Sequence, residues 1–234
     1  MKTFGIIAEG PTDQIVIQNI LVGFYDNVDL TPNIKFLQPL RDTTDTIRGQ
    51  GGWFKVFEYC QSQYFLDALE QNDFLIIQID SDVCADKHFN VSRTNEAGKT
   101  KADDVLISDI INRFQEIFIA TFGKDKYDQF KDRLIYAICL DEIECWLLPI
   151  YYTDKTRSAT NNCIHKLNKK IDLQLDMFID PANKNNMTQQ YWKISKPYMK
   201  NKTLLSNAYH NISLGKFIDA LEEKDILLEE EKGN

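Results

Sequence analysis

The run FLIIQI at residues 74–79 constrains this chain more than any other stretch, and it ends on a carboxylate, Asp80. Apolar residues without strict alternation suit a strand buried on both faces, as at the centre of a parallel sheet covered by helices. Two other runs, residues 2–8 and 134–140, have the same character and also lead into acids, Glu9 and Asp141. Residues 34–37 make a shorter candidate strand. Between these runs the spacing turns helical. Ile17, Ile20, Leu21 and Phe24 follow the first strand, with Thr12 as the expected N-cap. Val56, Phe57, Cys60, Tyr64 and Ala68 mark one helix over residues 53–70, and Leu106, Ile110, Phe114 and Ile117 mark another over 102–122. A last helix is expected over 142–152. This alternation predicts an α/β fold, a mostly parallel, doubly wound (Rossmann-like) sheet flanked by helices, over residues 1–152. Residues 153–234 read as a mainly helical, basic extension packed on that core, with a frayed EEEKGN tail.

The acids at the strand ends carry the chemistry. In open α/β sheets, sites lie where the loops leave the carboxyl ends of the strands. In EGPTD, Gly10 and Pro11 turn the chain sharply after Glu9 and place its charge on that rim, while Asp13 reads as a favourable first-turn anion. In IDSDVCAD, Asp80 and Asp82 are two apart in extended chain and so point the same way, with Asp86 further along the loop. Two like charges held together call for a cation between them. Oxygen ligands without His or Cys select a hard ion, Mg²⁺ or Mn²⁺. The plainer reading is a polar loop in which one aspartate caps a turn. In LDEIECWLLP, Asp141 and Glu144 have the spacing of a capping box, and Glu144 lies at the edge of the helix's buried stripe. It can therefore be a cap or a fourth acid at the rim; Glu142 reads as solvated.

Composition narrows the remaining classes. No apolar stretch reaches the roughly 20 residues that span a bilayer, and the N-terminus lacks the pattern of a secretory signal peptide, so a cytoplasmic protein is expected. Five cysteines (Cys60, Cys84, Cys139, Cys145, Cys163) without a CxxC pair are expected to be reduced, packed thiols. Three scattered histidines argue against a histidine-rich metal site.

Together, EGPTD after the first strand, Asp80-Ser81-Asp82 after a later one and the EIECWLLP segment resemble the Toprim fold. That fold is shared by topoisomerases, bacterial primases, recombination proteins and the overcoming-lysogenization-defect nucleases. More narrowly, EGPTD, RGQGGW and EIECWLLP are similar to small stand-alone bacterial Toprim-like proteins, some relatives of which travel with phage-defence systems. The resemblance covers residues 1–150. It implies Mg²⁺-dependent phosphodiester chemistry in which Glu9, Asp80 and Asp82 hold the metal and either Glu144 or Asp86 completes the site. Glu144 is preferred, because the strand before it should deliver it to the same rim. Glu9 could equally serve as general base. The implied function is a nuclease acting on DNA or RNA in anti-phage defence. The alternatives are a non-catalytic nucleic-acid-binding or regulatory subunit working with an ATPase partner, and a hydrolase of small phosphoesters. A homodimer is compatible with any of these. A topoisomerase is not expected, since a strand-breaking tyrosine would need its own domain, and neither is a primase, whose zinc and helicase-contact modules are absent.

A nucleic-acid surface has its own signals. The chain carries a net charge of −8, yet residues 151–202 hold 10 Lys/Arg against 4 Asp/Glu, so a basic segment lies between acidic ones. Within it, QQYWKISKPYMKNK interleaves Tyr191, Trp192 and Tyr198 with Lys193, Lys196, Lys200 and Lys202. Aromatics of this kind can stack on bases while lysines neutralise phosphate, or they can be core residues with lysines outside. NEAGKT ends like a phosphate-binding loop, but it lacks the first glycine and follows no strand. Lys99 and Lys101, with Arg93, remain candidates for phosphate contact or a solvated loop, as do Arg41 and Arg48. His88 is either a proton-transfer group or a surface histidine.

Overall fold

A computed structural model describes residues 1–41, 47–48 and 51–229, excluding the side chains of Arg41, Ile47 and Arg48. The expectations for Arg41, Arg48, the Gly49-Gln50 part of RGQGGW and the end of the acidic tail therefore lie outside the described residues. The chain runs β1 (Phe4–Ile7), α1 (Pro11–Phe24), β2 (Ile34–Gln38), β3 (Leu40–Arg41), β4 (Ile47–Arg48), α2 (Trp53–Cys60), α3 (Gln63–Gln71) and β5 (Phe74–Asp80). There follow α4 (Asp103–Phe122), α5 (Lys124–Phe130), β6 (Leu134–Cys139), α6 (Glu144–Tyr151), α7 (Cys163–Leu175), α8 (Thr188–Ser195), α9 (Asn201–Ala208) and α10 (Ile212–Glu223). Four strands form an all-parallel sheet in the order β2-β1-β5-β6, while β3 and β4 pair as a small antiparallel ribbon.

The sheet is doubly wound because alternate side chains of each strand feed different cores. Phe4, Ile6, Ile76, Ile135, Ala137 and Cys139 face one layer, with α1 and the C-terminal helices. Ile7, Leu75, Ile77, Ile79, Leu134 and Ile138 face the other, with residues of α2 to α5. Leu75, Ile76, Ile77 and Ile79 are all fully buried, at roughly 1.5–3 kcal/mol each, which explains why the sequence of β5 is apolar on both faces.

The C-terminal helices complete the first layer. Trp146 of α6 stacks on Phe217 of α10 at 5.4 Å between ring centroids. The Trp146 indole N–H donates to Ser213 Oγ at 2.8 Å, and the Tyr198 hydroxyl donates to the Trp146 carbonyl at 2.6 Å. Leu167, Tyr191, Ile194, Leu204 and Leu214 lie in the same core as Phe4 and Ile6.

Three local expectations change. The N-cap position of α1 is Gly10, with Pro11 opening the helix, rather than Thr12; a proline in the first turn forgoes an N–H that has no partner there anyway. The single helix expected over 53–70 is two, α2 and α3, broken at Gln61 and Ser62. The capping box at Asp141 does not form: Asp141 adopts a left-handed φ of 67°, and α6 begins only at Glu144 with no side-chain cap.

Candidate functional site

β1 and β5 are neighbours, with Phe4 beside Phe74 and Ile7 beside Ile77, so both strands end at the same edge. The strand order reverses direction between them, which is where an open α/β sheet leaves a crevice. A closed relay of hydrogen bonds fixes the two acids there. The Asp80 N–H donates to Glu9 Oε1 at 2.7 Å, the Glu9 N–H donates to Gln78 Oε1 at 3.0 Å, and Gln78 Nε2 donates to Asp80 Oδ1 at 2.8 Å. Gln78, the one polar residue inside β5, is fully buried and holds both acids in place. Close approach to the Glu9 backbone requires glycine at position 51. A methyl group on Gly51 would lie 2.3 Å from the Glu9 carbonyl oxygen, to which the Gly52 N–H donates at 2.7 Å. One on Gly10 would crowd the carboxylate of Asp13 and the side chain of Asn185.

Three further charged groups complete the cluster. Asp13 is buried on α1, and its Oδ1 has no hydrogen-bond partner. Glu144 is fully buried at the start of α6. Lys184, in a short turn (Lys184–Asn186) between α7 and α8, places Nζ 3.3 Å from Glu144 Oε1 and 3.9 Å from Glu142 Oε2. The Tyr191 hydroxyl also donates to Glu144 Oε1. Among the described residues, Lys184 is the cation that faces these acids, so negative charge is in excess.

Proton affinities reflect that excess. Burial pushes Glu9 up to about 8, with the charges of Asp13 and Asp82 adding to the shift against the Asp80 N–H and Lys184. Asp13 is pushed up to about 7, again mainly by burial, with Lys184 opposing and Glu144 adding. Asp80 is raised well above the usual carboxylate range by burial and then by Glu9 and Asp13. Burial, with the neighbouring Glu144 charge, raises Glu142 to about 7. All four would rather be neutral than ionised without a compensating cation.

The expected site residues are distributed unevenly. Glu9 and Asp80 come together. Asp82 does not point with Asp80 as extended chain would have it: the strand ends at Asp80, and Asp82 is exposed in the turn that follows, near enough for its charge to raise both Glu9 and Asp141. Glu144 reaches the same cluster but is taken up by Lys184 and Tyr191. Asp86 does not join it: the residue is exposed and its Oδ1 accepts from the His88 N–H at 2.8 Å, in a turn of the loop. His88 is exposed too. Glu142, expected in solvent, is half-buried and accepts from the Ile164 N–H at 2.9 Å. Asp13 was legible as a charge but not as a member of the site, although it lies four residues beyond Glu9, in the first turn of α1. Lys184 had no local signal at all.

The basic surface divides in the same way. Tyr191 and Tyr198 are buried, not stacking platforms; Trp192 is 39% exposed, with Lys196 Nζ 4.7 Å from its ring centre. Lys193, Lys196, Lys200 and Lys202 are exposed. Because Tyr191 and Trp192 are adjacent on α8, the inner face of this helix reaches Glu144 while its outer face carries the basic patch. Lys99 is exposed at a loop tip, whereas Lys101 pairs with Asp109 of α4 at 2.6 Å. In NEAGKT, Asn95 Oδ1 accepts from the Ala97 and Lys99 N–H groups, so those donors are used within the turn. Arg93 reaches back to the Ser81 carbonyl at 2.7 Å and fastens this loop beside the site.

The cysteines depart from expectation. Cys145 and Cys163 form a disulfide, with 5.0 Å between Cα atoms, joining α6 to α7; Cys60, Cys84 and Cys139 are free and buried. Their sequence separation of 18 gives no hint of this proximity, which the packing of the two helices creates. Asp141 and these two cysteines are, among the described residues, the one acid–cysteine group with ligand atoms within 4.8 Å of one another, but the sulfurs are already bonded to each other. No three carboxylates of the cluster approach that closely. A Mg²⁺ site does not require it, since that ion is ordinarily held by one or two carboxylates and completed by water and phosphate. The oxygen-only pair of Glu9 and Asp80, linked by the Asp80 N–H to Glu9 Oε1 bond and with an orphaned carboxylate oxygen on Asp13 in the same cluster, fits such an ion.

Comparison with protein-family models, curated proteins and solved structures finds no match, so the chemistry of the site rests on its own geometry. No helix is long and apolar enough to cross a membrane among the described residues.

Proposed function

We propose that this protein is a Mg²⁺-dependent nuclease with a Toprim-like core, acting on DNA or RNA in anti-phage defence within the cytoplasm. One observation carries the reading: Glu9 from the loop after β1, Asp13 from α1, Asp80 from β5 and Glu144 from α6 come to one crevice, where Lys184 is the one cation facing them among the described residues. Each buried charge costs several kcal/mol unless compensated, so a purely structural role would be an expensive arrangement. Glu9 and Asp80 would hold the ion directly, and Asp82, exposed in the next turn, would act on it through water. The bound ion supplies an activated water and stabilises the leaving oxygen. Gln78 keeps both acids aimed, and the Trp192, Lys193, Lys196 and Lys200 patch, with Lys99, offers the strand a place to lie.

The test is incubation of the purified chain with single-stranded DNA, duplex DNA and RNA in Mg²⁺, Mn²⁺ or chelator. Metal-dependent cleavage is expected, with Asp80→Asn and Glu9→Gln lowering it by about 10²–10⁴-fold while the thermal melt shows an intact fold. Cleavage that survives chelation, or both substitutions, would refute it. Lys184, already lodged among the acids, favours a second reading in which the crevice is charge-balanced internally. The chain would then be a non-catalytic nucleic-acid-binding subunit of an ATPase partner, inactive on every substrate alone yet still retained by nucleic acid.

A further inference from the structure

Lys184 enters the acid cluster from the helical C-terminal part rather than from the sheet. Its Nζ lies 3.3 Å and 3.5 Å from the two oxygens of Glu144 and 3.9 Å from Glu142 Oε2, and its charge acts on Asp13 and Asp80 as well. Glu144 is buried completely and its Oε1 is also bonded by Tyr191. A metal ion seated on Glu144 would have to expel that ammonium and break the tyrosine contact. An ion held by Glu9 and Asp80 would do neither, because the ion pairs of Lys184 are with Glu142 and Glu144, while Asp82 is open to solvent and the buried Asp13 Oδ1, which the Lys184 charge also reaches, has no hydrogen-bond partner.

We infer that Lys184 is a built-in cation standing in the place of a second metal ion, so that the site takes one divalent ion rather than the pair that many phosphodiester-cleaving centres use. The inference rests on the nuclease reading and deepens it. Chemistry supports it: an ammonium is a compact, strongly localised charge with three donors, able to replace a metal's charge on Glu144 without demanding octahedral geometry.

Mn²⁺ binding measured by calorimetry and by electron paramagnetic resonance, without nucleic acid, tests this directly. The natural chain is expected to bind one Mn²⁺. Lys184→Met, which vacates the position but keeps much of the side-chain volume, is expected to bind two, and Lys184→Arg to bind one. Two ions in the natural chain, or one in a folded Lys184→Met variant, would overturn the assignment while leaving the nuclease reading in place. If the natural chain bound none, the nuclease reading would fall and this inference with it. Should Lys184→Met not fold, the stoichiometry of the natural chain still decides between one ion and two.

Discussion

The end of β5 and the start of α6 both bring an acid to the same crevice, and they do so in opposite ways. β5 delivers Asp80 as its last residue, buried against Gln78, and Asp82 follows in a turn, open to water. α6 delivers Glu144 through a left-handed turn at Asp141 into a closed pocket, where Lys184 and Tyr191 meet it. The contrast teaches that proximity and availability are separate properties. Acids that look equivalent in sequence divide into those that can still take a ligand and one that already has its counter-ion.

The sharpest way to break that contrast is to neutralise one acid on each side. Asp80→Asn is expected to abolish measurable Mn²⁺ affinity and to leave the melt unchanged or higher, because it removes a buried charge that lacks a dedicated counter-ion. Glu144→Ala is expected to do the reverse, lowering stability by about 3–5 kcal/mol in denaturant titration, because it strips Lys184 and Tyr191 of their shared partner. Equal effects of the two on both measurements would erase the distinction.

The second way acts on the scaffold beneath Glu144. Cys145 follows it directly, and the disulfide to Cys163 ties that helix start to α7. Replacing both cysteines by serine is expected to cost about 3 kcal/mol, the scale for closing a loop of this length. Thiol titration of the denatured, unreduced protein should count the three free cysteines, rising to all five after reduction; five without reductant would show the bond is not formed.

A smaller effect comes from pH. Glu9 and Asp13 are raised to about 8 and about 7, so the folded state holds protons that the unfolded chain releases near pH 4. Stability of the metal-free protein should therefore fall as pH rises from about 4 to 8. Melting in chelator is expected to drop by at least about 5 °C between pH 5.5 and pH 8.5, with Mg²⁺ recovering more of it at the upper value. A melt that rises over this interval would contradict the direction. Smallest of all is Asp86→Ala. Exposed in its loop turn, it should change stability by no more than about 0.5 kcal/mol and leave Mn²⁺ affinity as it was.

Much of the frame was legible along the chain. The apolar runs of β1, β5 and β6 announced buried parallel strands because residues covered on both faces have no reason to alternate. The turn EGPTD announced a charge at a strand end. Less legible was how helix starts are set: the Asp141–Glu144 spacing matched a capping box, yet the backbone there follows the Ser81 hydroxyl, which accepts from the Asp141 N–H at 2.9 Å, a partner 60 residues away. Tyr191 and Trp192 show the same limit. Adjacent aromatics in a lysine-rich stretch look alike in sequence, and only the packing of α8 on α1 turns one inward to Glu144 and the other towards solvent.

The sequence alone determined the four strands of the parallel sheet and the acids Glu9 and Asp80 at the ends of two of them, because hydrophobic period and turn chemistry are local properties. Tertiary structure alone decided that Asp13 belongs to the cluster, that Glu144 is claimed by Lys184 from 40 residues away, and that Cys145 meets Cys163. Charge pairing and covalent cross-linking act through space, and the distances that govern them exist only after the two cores have closed around the sheet.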